Sequence, residues 1–365
     1  MGEVAKVIGG GTPNTKIPAY WNGTINWYTP VEIGKKIYIN ESQRKITLDG
    51  LKHSSAKLLP KNSVLFTSRA GIGKMAILGE EATTNQGFQS IIPIAKELDS
   101  YFLFSLSNQL KYYGETHGAG STFTEISGKE LAKFKLILPK LNEQKIISKL
   151  IMMIDKLISL QQRKLEQLKQ LKKAILQIIA SNRFLLHTKK VDMIKVRVAD
   201  IYKITRGNVL ARSEISNVQT SKYPYPVYSS QTKNLGLMGY YKDFLFKNAI
   251  TWTTDGANAG TVKYRKGRFY STNVNGVLLS SEGLANQLTA ELLNLVAFKY
   301  VSHVGNPKLM NNTMGEIMFN IPESIETQQY FSNCIELVIN LIGKQEKAIA
   351  KLNKLKKYLL QKLFI

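Results

Sequence analysis

NEQKIISKLIMMIDKLISLQQRKLEQLKQLKKAILQ, residues 142–177, and ETQQYFSNCIELVINLIGKQEKAIAKLNKLKKYLLQ, residues 326–361, are one pattern written twice. At a constant offset of 184 residues and without a gap, Gln144 falls on Gln328, Leu157 on Leu341, Ile158 on Ile342 and Gln161 on Gln345. The match continues through Leu168 and Leu352, Leu171 and Leu355, Lys172–Lys173 and Lys356–Lys357, and Leu176–Gln177 and Leu360–Gln361. An internal repeat of this length organises the whole chain.

Both segments lack proline, and Gly343 is their one glycine. Their apolar positions advance by alternating steps of four and three, as in Ile147, Ile151, Ile154, Ile158, Gln161, Leu165 and Leu168, which is the seam of a coiled coil. Helices of this length reach roughly 50 Å, longer than an ordinary globular helix and suited to pairing with each other. If the two pair antiparallel about a pseudo-twofold axis, their midpoints meet near Gln161 and Gln345. These two polar seam residues are expected to lie close together and to set the register.

Matching signatures precede the helices: LAKFKLILP ending at Pro139, and GEIMFNIP ending at Pro322. Alternating apolar residues run into each proline as a final strand would, and the proline ends the pairing. Working outward, each preceding segment carries short β-rich runs: NSVLFTSR, KMAILG and QSIIPI in the first, FLFKNAITWTT, GTVKYR and FYSTNVNGVLLS in the second. Each also has one late helical stretch, Leu98 to Tyr113 and Ala285 to His303. The fold class is α+β: two tandem α/β domains, 1–139 and 182–322, alternate with two long helices, 140–181 and 323–365. The polar link from Ser181 to Asp192 is expected to loop into the second domain. A fainter repeat sets TSRAGIGKMAI against TTDGANAGTVKY, and Thr84–Asn85 against Thr272–Asn273, marking the domains as divergent copies of one fold.

The 50 Lys and Arg residues against 26 Asp and Glu give a formal charge of +24, which attracts polyanions before any specific contact forms. No run of 18 apolar residues, secretion signal or lipidation signal is present, so the chain reads as soluble and cytoplasmic, with no membrane partner. The single cysteine, Cys334, forms no intrachain disulfide and is expected as a buried helical thiol. His53, His117, His187 and His303 are spaced too irregularly for a metal site.

GGGTPNTKIPAYWNGTINWYTP near the start, YPVYSSQTKNLGLMGYY and ITWTTDGANAGTVKYRKGRFYSTNVNGV in the second half, and the twin helices after their prolines together resemble the specificity subunits of Type I restriction-modification systems. The resemblance spans essentially the whole chain. It implies two target recognition domains, each reading one half of a bipartite site on double-stranded DNA, with the helices acting as a ruler and docking two modification (methyltransferase) subunits. It further implies that S-adenosylmethionine, ATP and Mg²⁺ belong to those and to the restriction subunits, not to this chain.

The residues agree that catalysis lies elsewhere. The Asn/Asp-Pro-Pro-Tyr/Phe element that holds a flipped adenine is missing. Gly71, Gly73 and Lys74 lack the spacing and the following Ser/Thr of a phosphate loop. Glu143-Gln144-Lys145 opens a helix, where a carboxylate complements the dipole without any metal. DNA reading needs cations for phosphates and amide or hydroxyl side chains for base edges. The candidates, taken as loop residues, are Arg69, Lys74, Asn85, Gln86, Gln89, Ser121 and Thr122 in the first domain and Ser230, Gln231, Asn258, Arg265, Asn273 and Asn275 in the second. Tyr20, Trp21, Trp27 and Trp252 are assigned to the core. The rival reading is a non-catalytic structural or adaptor protein with two binding domains on a helical stalk; it gives the charge of +24 no purpose.

Overall fold

The computed structural model describes residues 1–69, 71–120, 124–181, 185–186, 189–230 and 233–363. The chain folds into two compact units, Met1–Gln161 with Ile349–Ile365, and Gln162–Ala348. Each therefore combines a mixed α/β domain with a piece of both long helices.

In the first unit, strands β1 (Ala5–Gly9), β2 (Trp21–Tyr28), β3 (Tyr38–Ile39) and β4 (Arg44–Ile46) lead to helix α1 (Leu48–Lys52). Strands β5 (Val64–Phe66), β6 (Met75–Leu78), β7 (Ala82–Thr84) and β8 (Gln89–Pro93) follow, then helices α2 (Ser100–Ser105), α3 (Ser107–His117) and α4 (Gly128–Ala132), and the long helix α5 (Leu141–Ala180) begins. A five-stranded sheet runs β1-β8-β5-β6-β3 beside a three-stranded sheet β4-β2-β7. Successive side chains on a strand face opposite ways. Val64 and Phe66 accordingly join Ile77, Ile91, Phe102 and Leu110 in one core, while Leu65 joins Ala76, Leu78, Phe88 and Tyr28 in another.

The second unit opens with a short pair, β9 (Leu185–Leu186) and β10 (Lys189–Lys190), then β11 (Met193–Arg197), helix α6 (Val198–Ile201), β12 (Lys203–Arg206), β13 (Tyr225–Tyr228) and β14 (Leu237–Tyr241). Strands β15 (Phe246–Thr253), β16 (Val262–Ser271) and β17 (Asn275–Leu279), helices α7 (Gln287–Ala297) and α8 (Asn311–Gly315), strand β18 (Met318–Pro322) and the long helix α9 (Ile325–Leu363) complete it. Its main sheet runs β12-β17-β15-β16-β13-β14. The expected helical stretches are present with shifted ends: the first is broken at Leu106 into α2 and α3, and the second begins behind a capping box of Asn286 and Thr289. The expected strand through residues 269–280 is the end of β16, a turn and β17.

The final strand expected in LAKFKLILP does not form. Residues 134–138 alternate between half-buried Phe134, Leu136 and Leu138 and exposed Lys135 and Ile137, but they pair with no strand among the described residues. Its counterpart β18 is a strand because β11 pairs with it, Met193 opposite Pro322 through Arg197 opposite Met318. In the second unit Val198 N–H donates to Ile317 O; in the first, the Met1 ammonium donates to Phe134 O at 2.7 Å. Met1 thus holds the place of Val198 beside the segment that leads into the long helix.

Within each unit the two helical pieces run antiparallel. In the first, Ile147 and Ile151 of α5 share the core with Leu359 and Leu363 of α9, and Asp155 farther along α5 meets Lys356 at 2.5 Å. In the second, Leu176 and Ile179 share the core with Phe331 and Ile335, while Lys169 meets Glu346 at 3.5 Å. Ile147, Ile151, Ile154 and Ile158 of the seam are all buried. Cys334, expected inside, is half-buried.

A pair of glutamines joins each long helix to its domain. Gln144, 1% exposed, accepts from Asp99 N–H at 2.9 Å and donates to Glu97 O and Pro139 O, and Ser148 one turn on donates to the Asp99 carboxylate. Asp99 is the N-cap of α2. In the second unit Gln328, also 1% exposed, donates to Pro322 O and accepts from Asn286 Nδ2, while Ser332 accepts from Gln287 N–H. Asn286 is the N-cap of α7. Replacing Gln144 with Leu removes three hydrogen bonds to part-buried backbone groups, each worth about 1 kcal/mol. Gln144→Leu should therefore lower unfolding stability in urea by about 3 kcal/mol, whereas Gln329→Leu, at the exposed neighbour of Gln328, should stay within about 0.5 kcal/mol.

Candidate nucleic-acid interface

One end of each sheet is built from the same set of loops. In the first unit the β5–β6 turn closes with Thr67 N–H on Lys74 O and Gly73 N–H on Thr67 O, both at 3.0 Å. Gly71 and Gly73 take φ of 102° and 89°, which side chains resist. Beside it, Asn85 N–H bonds Tyr28 O, Gly87 N–H bonds the Asn85 side chain, and Ser68 N–H bonds Gly87 O. A third segment is fastened by Ile126 N–H on Ser68 O.

The second unit repeats the wiring. Thr253 N–H bonds Thr261 O and Gly260 N–H bonds Thr253 O; Thr272 N–H bonds Tyr228 O; Thr254 N–H bonds Val274 O; Leu309 N–H bonds Thr254 O. Gly10 and Gly207 occupy equivalent tight places: a Cβ would come 1.9 Å from Asn85 O in one and 2.1 Å from Ser271 O in the other. These bonds set Thr84 against Ser271, Asn85 against Thr272 and Gln86 against Asn273, one residue away from the pairing of Thr84–Asn85 with Thr272–Asn273 read from sequence. Threonine and asparagine recur on both sides of the offset, so composition alone could not choose the register.

Of the first-domain candidates, Arg69 is half-exposed and 3.7 Å from Glu125, Lys74 is exposed, Asn85 is half-buried in its own turn, and Gln86 is exposed and accepts from Thr12 Oγ1. Gln89 is the first residue of β8, half-buried opposite Gly9 rather than in a loop. Ser121, Thr122 and Gln231 lie outside the described residues, as do 182–184 and 187–188 of the Ser181–Asp192 link, His187 included; the link expected as a loop carries β9 and β10 in its described part.

In the second domain Asn273 is exposed, while Ser230, Asn258, Arg265 and Asn275 line one small polar cleft. Arg265 and Asn275 are on strands, not loops, and are 7% and 2% exposed. Arg265 donates to Thr251 Oγ1 at 3.1 Å and to Leu235 O at 2.9 Å, and its guanidinium sits 3.8 Å from the Tyr228 ring centroid. Burial pushes its pKa down to about 10, still cationic at neutral pH.

Trp21, Trp27 and Trp252 are buried as expected; Tyr20 is half-buried and stacks on His53. Gln161 is half-buried in the first unit's part of α5, and Gln345 is buried in the second unit's part of α9.

Sequence reasoning passed over two exposed groups at these ends. A Cβ on Gly34 would lie 3.4 Å from the Lys74 side chain, which brings the exposed pair Lys35–Lys36 beside Lys74. Residues 302–308 form a loop closed by Ser302 and Lys308, docked by Gly256 N–H on Pro307 O, with His303, Asn306 and Lys308 exposed. Its Gly305-Asn306-Pro307 is a turn signal that could have marked it. Among the described residues no helix is long and apolar enough to cross a membrane, and no three His, Cys, Asp or Glu side chains converge as metal ligands.

The family model described as Type I restriction modification DNA specificity domain matches residues 1–170 and again 190–354. The Type I restriction enzyme MjaIX specificity subunit of Methanocaldococcus jannaschii is 39% identical over 160 residues, 43% of this chain and 37% of that protein. The EcoR124I/EcoR124II specificity subunit of Escherichia coli is 32% identical over 166 residues, 43% of this chain and 40% of that protein. The matched part is thus about two fifths of either relative's length. The crystal structure of a Type I restriction-modification S subunit from M. genitalium has the same fold, with a TM-score of 0.70 over 98% of this chain and 96% of that one at 17% identity.

Because a methyl group at Gly207 would collide with the carbonyls of Ser271 and Thr272, Gly207→Ala should lower the melting temperature by about 5 °C and speed amide exchange at Asn208 and Thr272. Gly343→Ala, with nothing within 4 Å and a better helix former in place, should leave it unchanged or slightly raised.

Proposed function

Because this chain belongs to the Type I restriction modification DNA specificity domain family, we propose that it is the sequence-reading subunit of such a system. Residues 1–139 and 182–322 are the two target recognition domains of this proposal, and each reads one half of a bipartite duplex site. The observation that carries it is the loop end built twice on one hydrogen-bond scheme with different side chains. Arg69 stands where Asp255 does, Lys74 where Thr261 does, and Gln86 where Asn273 does. A constant frame with variable loop residues is what two readers of different half-sites require, and the charge of +24 supplies the sequence-independent attraction to phosphate.

The helices, 140–181 and 323–365, are proposed as the spacer, with Gln161 and Gln345 setting its register. Their outward positions support docking of two modification subunits. Ile146, Met153, Leu157 and Leu171 are exposed on α5, and at the repeat offset Tyr330, Leu337, Leu341 and Leu355 are exposed on α9. Apolar side chains kept outside at matching positions of both repeats make two like faces for two like partners. Methyl transfer from S-adenosylmethionine, and ATP- and Mg²⁺-dependent steps with restriction subunits, are assigned to those partners, in the cytoplasm where the DNA is. This chain contributes recognition alone.

Co-expression with a cognate modification subunit, followed by mapping of adenine methylation on genomic DNA, should give a split motif with a fixed gap. Exchanging residues 1–139 for those of a relative should change only one half of it. A motif that changes in both halves, or none at all from an assembled complex, would turn the reading to a structural adaptor. Met153→Asp with Leu337→Asp should abolish co-purification of the modification subunit while leaving the melting temperature of this chain within a few degrees, since both side chains are exposed.

A further inference from the structure

The two copies of the fold differ most at one interior place. Leu65 pairs with Ala76 across β5 and β6, and Thr251 pairs with Lys263 across β15 and β16. With the turns in register, Leu65, Ala76, Leu78 and Phe88 correspond to Thr251, Lys263, Arg265 and Asn275. The first set is a closed apolar cluster against Tyr28, each of the four 0% exposed. The second set lines an open cleft of about 20 Å³ together with Ser230, and Tyr228, the counterpart of Tyr28, carries the Arg265 guanidinium on its face.

The frame therefore stands without polarity at this position, and the cations of the second copy are an added cost. A buried charge is tolerated when something pairs with it. No carboxylate lines the cleft, and among the described residues neither Lys263 nor Arg265 makes an ion pair. Glu291, the carboxylate that acts on Lys263, is already held by Lys172 at 2.5 Å. The cleft has room for one water-sized group, too little for a base. Arg265 is too deeply set to reach into a groove, whereas a phosphate oxygen projects from the duplex and can come to it.

We propose that this cleft is a subsite for one non-bridging oxygen of a DNA backbone phosphate, with Arg265 and Lys263 as its cations and the Ser230 hydroxyl as a further donor. It rests on the DNA-reading function proposed above, and it opens beside the Thr253–Thr261 turn of the same interface.

The test uses the full chain, Arg265→Leu, and a fourfold variant carrying the first unit's residues (T251L, K263A, R265L, N275F), whose packing that unit already demonstrates. Binding to a mixed-sequence duplex is measured across a salt series. Both variants should melt no lower than the wild type, bind roughly tenfold more weakly near 0.15 M salt, and lose about one from the slope of log affinity against log salt. Wild-type affinity and slope in Arg265→Leu would overturn the subsite, as would an altered base preference at unchanged slope. If the wild type binds no duplex, the DNA-reading function fails, and inorganic phosphate judges the cleft separately. A saturable rise in melting temperature that Arg265→Leu lacks sustains an anion site; equal responses in both proteins overturn it.

Discussion

Two buried glutamines decide how the rest of the molecule is arranged. A long helix cannot hold a domain by apolar contact alone at one defined angle, because hydrophobic packing is non-directional. Gln144 and Gln328 supply direction: each places both ends of its amide on groups at the start of the domain's own helix and on the proline carbonyl before the long helix. Ser148 and Ser332 add a second point one turn away. With both glutamine side chains buried and both ends of each amide matched, these bonds set the orientation in which the apolar seam residues then pack.

With the helices anchored, the domains are free to diverge wherever the anchor does not reach. The backbone hydrogen bonds at the loop ends are the same in the two copies, since main-chain groups do not depend on side-chain identity. The side chains above them have changed, and below them an apolar cluster in one copy has become a cationic cleft in the other. Sheet strands buried on both faces allow this exchange, because neighbouring strands keep their ladder whatever projects into the space between layers.

Much of this was legible beforehand. The helices and their seam follow from spacing, which is local. The strand expected before Pro139 followed the same alternation as the real one before Pro322, but a strand exists only if a partner completes it, and the partner is a distant segment. Phe134, Leu136 and Leu138 keep the pattern without the pairing. Arg265 and Asn275 likewise sit in the β-rich runs GTVKYR and FYSTNVNGVLLS, yet their polar side chains near glycine read as loop positions, and only strand pairing shows that they turn inward.

By itself the sequence determined the duplication, the lengths of the helices, the order of domain and helix, and the charge that favours a polyanion, because each is a property of periodicity or composition. The tertiary structure decided which polar residues are anchors, which face outward and which line the cleft, and it moved the alignment of the two loop sets by one residue. Those outcomes depend on hydrogen bonds between segments far apart in the chain, and no local pattern encodes the partner at the other end of such a bond.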